Sequence, residues 1–215
     1  MVLHLAEHLE VPLRERNTLL LAAGYAPLYG ERSLQTAEME PVRVALDRFL
    51  RAHEPYPAIV LDRAYGLLAS NDATQVLIGD VAPELLEPPV NALRLTLHPR
   101  GMAPRIANLE EWSAHLLVRL RRQAQMTGDA ALTTLYEELA EYPGVALQAP
   151  HEGLAGADIV LPLRLRDGEE ELSFFSTIST FGTAVDVTLA ELSIEAFYPA
   201  NARTAERLLA DIAPG

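Results

Sequence analysis

The sequence predicts an α+β fold in which an antiparallel sheet is interrupted by a helical middle and preceded by short N-terminal helices. A compact apolar hairpin is predicted within residues 57–70, and alternating apolar positions return within residues 171–199. Helical periodicity and helix-boundary residues dominate the chain between them. A sheet that is split around helices forms a concave surface, and neither strand segment supplies catalytic machinery. This pattern therefore favours a domain that binds a molecule over one that transforms it.

The composition is that of a globular chain. Hydrophobic residues make up 49% and charged residues 22% of the 215 residues, enough for one substantial domain with an appendage. The formal net charge is −13. This charge disfavours nucleic-acid binding by the chain on its own, because such binding depends on cationic side chains that neutralise phosphates.

The sequence carries no sign of a targeting segment or of cysteine chemistry. No apolar run reaches the roughly eighteen residues of a membrane span, and residues 1–8 lack the basic and small-residue pattern of a signal peptide. Cysteine is absent, so disulfides and cysteine-ligated metals are excluded. We therefore expect a cytoplasmic protein without membrane attachment.

Three helices are expected before the first strand. Gly24 and Pro27 end the second of them, and Pro41 stands in the first turn of the third. Residues 58–62 and residues 66–70 then form the two strands of the hairpin. In chain order the helices are predicted at residues 3–10, 14–23 and 41–53, with the polar residues 30–38 as a linker before the third.

The helical middle follows the hairpin. Asn71 and Asp72 suit the N-cap of a helix, while five prolines within residues 80–105 argue against long regular elements there. Two helices complete this part of the chain: residues 109–127, between Asn108 as N-cap and Gly128, and residues 130–141.

The last third of the chain alternates between apolar and polar residues as strands do. Glu191 and Glu195 fall opposite the apolar Leu192 and Ile194, so we expect both carboxylates to face solvent, a dimer contact or a domain contact. A final helix is predicted over residues 202–212. The predicted strands are residues 159–165, residues 172–178 after an Asp167-Gly168 turn, and a long strand that begins with Val185, Val187 and Leu189 and continues through Ala196.

Several phrases of the sequence occur in the order typical of a known family, among them Pro-Tyr-Pro-Ala-Ile-Val-Leu-Asp-Arg and Asn-Leu-Glu-Glu-Trp. They lie at residues 5–17, 20–27, 55–63, 108–112, 142–143, 173–183, 186–195 and 197–199. With them the chain resembles the MmyB-like (MltR-type) transcription regulators, in which a PAS-like ligand-binding domain follows a helix-turn-helix of the Xre class. Two departures are local: Tyr65 stands where tryptophan is common, and Asn71-Asp72-Ala73 where Asn-Pro-Ala is common.

The resemblance implies a division of the chain into three parts. Residues 1–30 resemble the C-terminal helices of a helix-turn-helix DNA-binding domain, residues 31–55 a linker with a connecting helix, and residues 56–215 the PAS-like ligand-binding domain. The helix that reads the major groove would precede Met1, so DNA binding would use a helix-turn-helix that is largely missing here. We expect the apolar stripe of the N-terminal helices to be buried against residues 38–53 or a second subunit: Leu5, Leu9, Leu19 and Leu20.

The resemblance also implies a function. It suggests the ligand-sensing domain of a bacterial-type transcription regulator, which binds a small hydrophobic, fatty-acid-like effector without a cofactor and acts as a homodimer. An alternative from another class is a ligandless module that only dimerises the DNA-binding part. A core without a sizeable cavity would favour that alternative.

The long middle helix supplies the first candidate ligand-binding residues. Trp112, His115 and Arg119 are spaced three and four residues apart and share a helix face with Leu116. One interpretation is a ligand pocket in which Trp112 forms a wall and His115 or Arg119 holds a carboxylate head group. The other is that Trp112 and Leu116 belong to the core and the arginines to a solvated face.

Three phenylalanines supply the second candidate group. Phe174 and Phe175 are adjacent, so they point to opposite faces of a strand and only one of them can line a given cavity. Phe181 follows within the same short segment. The alternative is that helices cover both faces of the sheet and that these rings are ordinary core.

Metal and catalytic chemistry find little support. His4 and His8 are four residues apart on one helix, a spacing that metals use, but no third ligand lies near them in sequence. Serines at 173, 176 and 179 lack the glycine pattern of a nucleophile elbow, and no glycine-rich phosphate loop occurs. We therefore expect neither a metal site nor an enzyme.

Overall fold

The computed structural model describes residues 1–148 and 160–210, and it has the α+β organisation that the sequence predicts. In chain order the helices are α1 Val2–His8, α2 Leu13–Ala22, α3 Glu40–Ala52, α4 Gln75–Ile78, α5 Ala92–Leu97, α6 Leu109–Thr127, α7 Ala130–Ala140, α8 Val187–Ala190 and α9 Ala202–Ala210. The strands are β1 Ala58–Leu61, β2 Leu67–Ser70, β3 Leu163–Asp167, β4 Glu170–Thr180 and β5 Ser193–Pro199.

The strands form one antiparallel sheet in the order β2-β1-β5-β4-β3. The first hairpin joins the C-terminal strands because β1 pairs with β5, with Ala58 opposite Ala196 and Leu61 opposite Ser193. Strand β5 therefore lies at the centre of the sheet, and the helical middle is inserted between the two halves. This topology confirms the prediction of a sheet split around helices.

The two faces of the sheet are covered by different helices. The larger apolar cluster unites one face with the helical middle, and its fully buried members include Leu97, Leu120 and Phe174. The smaller cluster lies on the opposite face, where Leu46 and Leu50 of α3 pack with sheet residues. Helix α3 packs here because its apolar stripe repeats at helical spacing on one side.

Helix α6 has the predicted bounds, and the amide at its start has a further role. Gly128 ends the helix in the left-handed conformation, at φ +65°. Asn108 stands at the N-cap position, but its side chain makes no capping bond to the helix backbone and instead bonds the neighbouring strand segment. It donates to the carbonyl of Pro162 at 2.8 Å and accepts from the N–H of Arg164 at 3.1 Å. These bonds fix α6 against β3.

Asn71 has a comparable role at the end of β2. It occupies an N-cap position, yet its buried amide accepts from the N–H of Ala58 at 2.9 Å and donates to the carbonyls of Tyr56 and Leu50. The side chain thus connects α3, β1 and the following helical turn. Sequence reasoning identified the position but not these partners.

One predicted strand start is wrong. Val187 and Leu189 were expected to open a long strand, but they lie in the short helix α8, and the strand begins only at Ser193. Asp186 causes the difference, since its carboxylate caps α8 by accepting from the N–H of Thr188 at 3.0 Å. Three alternating apolar residues are too few to separate a strand from a helical turn.

The apolar stripe of the N-terminal helices is not buried against residues 38–53 as expected. Leu20 is buried, but Leu5, Leu9 and Leu19 are 54%, 74% and 44% exposed. Helix α2 instead lies against α8. Burial of the stripe by a second subunit stays a prediction.

Two expectations fall on residues outside the described ranges. They are the start of a strand at Ile159 and the extension of the last helix to Ile212. Among the helices of the described ranges, none is both long enough and apolar enough to cross a membrane.

Candidate ligand-binding site

A cavity of about 100 Å³ lies between the sheet and the helical middle. Strands β1, β2 and β5 form its floor, and helices α4, α5 and α6 form its walls. The lining is mostly apolar, including Ile59, Leu61, Leu77, Leu93, Leu95 and Leu116. A mostly apolar cavity with a few polar groups at its border is the usual form of a small-molecule site.

Glu195 borders this cavity, which corrects the expectation that it faces solvent or a dimer or domain contact. Glu195 is only 8% exposed, and it lies opposite Ile59 in the pairing of β1 with β5. Directly paired residues share a sheet face, so Glu195 faces the helical middle together with Ile59. The carboxylate accepts a hydrogen bond from the Ser176 hydroxyl at 2.9 Å. The expectation failed because β5 is central and both of its faces are covered.

Glu191 contacts the N-terminal helices. Its carboxylate accepts from Nε and Nη2 of Arg14 at 2.7 and 2.8 Å, so it makes a contact between the N-terminal helices and the rest of the chain. Arg14 also pairs with Glu31. Hydrogen bonds to Glu191 first, and then to Glu31, raise the pKa of Arg14 above its ordinary value.

Tyr65 is a cavity residue that the site prediction missed. Its φ of +64° lies in the left-handed region, which is rare for a bulky residue. The ring is buried, its hydroxyl donates to Oε1 of Gln123 at 2.8 Å, and the guanidinium of Arg119 lies 5.4 Å from its centroid. Held backbone strain of this kind is frequent at ligand sites. The departure from tryptophan at this position was the available signal.

Of the four predicted ligand-binding residues of α6, three border the cavity and one does not. Trp112, Leu116 and Arg119 border it, while His115 is exposed beside them and its ring stacks on Trp112 with centroids 6.0 Å apart. Partial desolvation lowers the pKa of His115, the charge of Arg119 lowers it further, and Glu195 opposes this effect. His115, Arg119 and Glu195 therefore lie within electrostatic reach of one another.

The three predicted phenylalanines do not border the cavity. Phe174 is fully buried in the larger core cluster, opposite Leu163 in the neighbouring strand. Phe175 points to the other face, where it stacks on Tyr198 with ring centroids 5.3 Å apart. Phe181 packs against the α3 cluster, also on that other face. These positions agree with the alternative interpretation, in which the three rings are ordinary packing residues.

A larger cleft of about 590 Å³ lies at the edge of the molecule, between the linker before α3 and the β1–β2 end of the sheet. Charged side chains line much of it, including Arg14, Arg43, Arg63, Glu31, Asp47 and Glu191. These arginines are engaged in ion pairs or in hydrogen bonds to backbone carbonyls. The smaller cavity is the better candidate because its walls are apolar and its polar groups retain free bonding capacity.

A series of polar contacts joins the cavity to the N-terminal helices. Gln123, which accepts from Tyr65, also donates to the carbonyl of Arg63 at 2.8 Å. Arg63 pairs with Asp129 at the start of α7 and, at 3.3 Å, with Glu191. Because Glu191 also pairs with Arg14 of α2, a side chain at the cavity is connected to the N-terminal unit through four intervening contacts.

The part of the chain that the structure describes contains no group of side chains suited to bind a metal ion. No three His, Asp or Glu residues there are grouped as metal ligands are. His4 and His8 contact each other, with ring centroids 4.2 Å apart, and Nδ1 of His8 lies 2.8 Å from the carbonyl of His4. The pair sits on an exposed helix without a third ligand in reach among those residues.

Comparisons with known proteins give one family match. A family model, described as the MmyB-like transcription regulator ligand binding domain, matches residues 42–210. A comparison with curated proteins gives no match. The matched family consists of regulator domains and is not an enzyme family, and its PAS-like fold agrees with the observed antiparallel sheet and inserted helices. The matched residues make up most of the chain, which therefore belongs to the family of MmyB-like transcription regulator ligand-binding domains.

Proposed function

We propose that this domain senses a small hydrophobic, fatty-acid-like ligand that binds in the cavity between the sheet and α4, α5 and α6. The observation that carries the proposal is a mostly apolar cavity whose border includes Arg119 and Trp112. Apolar walls supply affinity, and a few polar groups select the head group. In the cytoplasm such a domain would adjust transcription to the concentration of its ligand.

The size of the cavity limits what enters without rearrangement. An apolar cavity of about 150 Å³ admits benzene, so the space of about 100 Å³ holds a group smaller than benzene. An acyl chain needs more room. Each buried methylene contributes about 0.8 kcal/mol, so seven contribute roughly 5–6 kcal/mol before the costs of ordering. The ligand binds if displacing the wall costs less than this.

Helices α4 and α5 are the part of the wall best suited to move. They have only four and six residues, and prolines interrupt the segment between them. Short helices have few internal hydrogen bonds, so tertiary contacts hold them in place. Arg105 provides one such contact by donating to the carbonyls of Leu77 and Val76 at 2.9 and 3.1 Å.

The effect on DNA binding would pass through the polar contacts described above. A ligand that displaces Tyr65 or Arg119 changes the bonds of Gln123, then of Arg63 and Glu191, and so the docking of Arg14. In this proposal residues 1–30 belong to a helix-turn-helix of the Xre class and the regulator binds DNA as a homodimer. Ligand binding thereby shifts the N-terminal helices relative to the sheet.

The first test is native mass spectrometry of the purified chain, followed by denaturation and identification of any released molecule. Titration with saturated acyl compounds of six to fourteen carbons follows. We expect one bound molecule per chain and micromolar affinity for part of the series. A chain that is purified empty and binds no member of the series would refute the proposal.

A matched pair of variants locates the binding. Ala92 borders the cavity from α5, so Ala92→Leu places added carbons against the free space and should weaken acyl binding at least tenfold. Ala131 is exposed near the start of α7, so Ala131→Leu makes the same chemical change away from the cavity and should leave binding unchanged.

The second candidate function is a ligandless dimerisation module. The exposed apolar side chains of the N-terminal helices favour it, because contiguous exposed apolar surface marks protein contacts. Leu5, Leu9 and Leu21 are each more than half exposed, at 54%, 74% and 59%. A dimer in solution that carries and takes up no ligand would support this function over the first.

A further inference from the structure

The buried carboxylate of Glu195 is the most unusual group at the cavity. It is 8% exposed and borders the cavity from the central strand. Ser176 donates one hydrogen bond to it, and within the described ranges no ion pair joins it to an arginine or histidine. A carboxylate has about four acceptor sites on its two oxygens. Glu195 therefore has acceptor capacity beside the cavity that the protein leaves unused.

A donor at the same cavity is also without a partner. The indole Nε1 of Trp112 is buried and, among the residues described, makes no hydrogen bond, while the Trp112 side chain borders the cavity. Buried N–H groups without acceptors are rare in folded proteins, because each costs about 1–3 kcal/mol. An acceptor on a bound ligand would complete this bond.

The two charges near the cavity have unequal influence on a ligand. Arg119 is partly exposed and lies over the ring of Tyr65, with Nε 3.5 Å from the hydroxyl. Glu195 is more deeply buried, and electrostatic interactions strengthen as solvent is excluded. A ligand carboxylate in the cavity is thus attracted by a partly exposed cation and repelled by a more deeply buried anion.

We infer that the cavity selects a neutral acyl head group with both a hydrogen-bond acceptor and a donor, which is an acyl amide, over the free carboxylate of a fatty acid. The amide carbonyl accepts from the indole of Trp112, and the amide N–H donates to Glu195. The inference rests on the proposed function, because it assumes an acyl ligand in this cavity, and it names the class of that ligand.

Three probes of equal chain length test the inference on the full chain by isothermal titration calorimetry. Octanamide offers a donor and an acceptor, methyl octanoate an acceptor alone, and octanoate an anion. We expect octanamide to bind at least tenfold more tightly than octanoate, the effect of roughly one charge-assisted hydrogen bond. The ester should bind more weakly than the amide, since it has no donor for Glu195.

The substitution Glu195→Gln identifies the residue responsible. Glutamine has nearly the same shape, can still accept from Ser176, and offers N–H donors to an anion. The preference for octanamide over octanoate should then fall to about twofold or less. Glu171→Gln is the control, because Glu171 is exposed on β4 and pairs with Arg164 on the surface; this variant should keep the wild-type preference.

Each outcome decides between the two proposals. If the wild-type chain binds octanoate as tightly as octanamide, the inference is overturned while the acyl-sensor function stands. This comparison requires no variant, so it remains decisive even if Glu195→Gln fails to fold. If Glu195→Gln folds and leaves the preference unchanged, the inference is likewise overturned. If none of the three probes binds, the inference is overturned, and the sensor function is decided separately by the titration with acyl compounds of six to fourteen carbons.

Discussion

The contact between Glu191 and Arg14 can be tested by the conservative substitution Glu191→Gln. Arg14 donates to both carboxylate oxygens of Glu191 at 2.7 and 2.8 Å. The Arg14 side chain is 31% exposed and the Glu191 side chain 20% exposed. Leu20 and Ala6 are the buried residues of α2 and α1, so apolar packing holds the N-terminal helices weakly. The ion pair should therefore provide a large part of their docking energy.

The magnitude follows from the burial of the pair. Exposed ion pairs contribute about 0.2–1 kcal/mol, while removal of one partner of a buried pair costs about 3–5 kcal/mol. This pair lies between these limits, and Arg14 keeps Glu31 while Arg63 keeps Asp129 after the substitution. We expect a loss of about 1.5 kcal/mol, which corresponds to roughly a tenfold increase in local opening.

Hydrogen exchange followed by mass spectrometry measures that opening directly. Exchange in α2 should accelerate about tenfold in Glu191→Gln, while exchange in α6 stays unchanged because α6 is anchored in the main core. In a double-mutant cycle with Arg14→Met, the coupling free energy should be about 1 kcal/mol. Additive effects of the two substitutions, or unaltered exchange in α2, would refute the idea that this pair docks the N-terminal helices.

Three further predictions concern stability and pH. Desolvation and a hydrogen bond to Glu138 raise the pKa of Tyr142 to about 12; because the folded-state pKa exceeds the unfolded one, this stability is complete below about pH 10 and lost as pH rises through 12. The free energy of unfolding should accordingly fall less steeply above pH 10 in Tyr142→Phe than in the wild type, and equal slopes would contradict this. The pKa of His115 lies below its ordinary value, so the unfolded chain binds the proton more tightly and His115 reduces stability as pH falls below about 6.5. In Arg119→Met, NMR titration should give a higher pKa for His115 that still lies below the ordinary value, since desolvation is the larger cause; an unchanged pKa would exclude the effect of Arg119. Asn71→Ala removes two accepted and two donated hydrogen bonds from a buried site and should lower the free energy of unfolding in urea by about 3 kcal/mol; a loss below 1 kcal/mol would mean that water replaces these bonds.

Local sequence patterns predicted most of the secondary structure. Helix α6 begins after Asn108 and ends at Gly128 as expected, because capping and left-handed turns depend on residues close in sequence. The Asp167-Gly168 turn between β3 and β4 is equally local, with Gly168 at φ +62°. The failure at Val187 and Leu189 has the same origin, since Asp186 caps a helical turn where the apolar alternation indicated a strand.

The sequence predicted less of the candidate site than of the secondary structure. Helical spacing placed Trp112, Leu116 and Arg119 on one face, and these three residues border the cavity. Tyr65 and Glu195 were missed because their contacts join residues distant in sequence. Tyr65 meets Gln123 of α6 across the cavity wall, and no local pattern reports such a pairing.

The sequence by itself determined most of the helix and strand positions, and through the order of its motifs it indicated the family. Only the tertiary structure decided the strand order, the buried position of Glu195 and the existence of the cavity. A period of two tells which residues of β5 share a face, but not whether a helix covers that face. That coverage depends on the pairing of β5 with β1, as in Ile59 opposite Glu195, and on the packing of helices inserted between these strands in the chain.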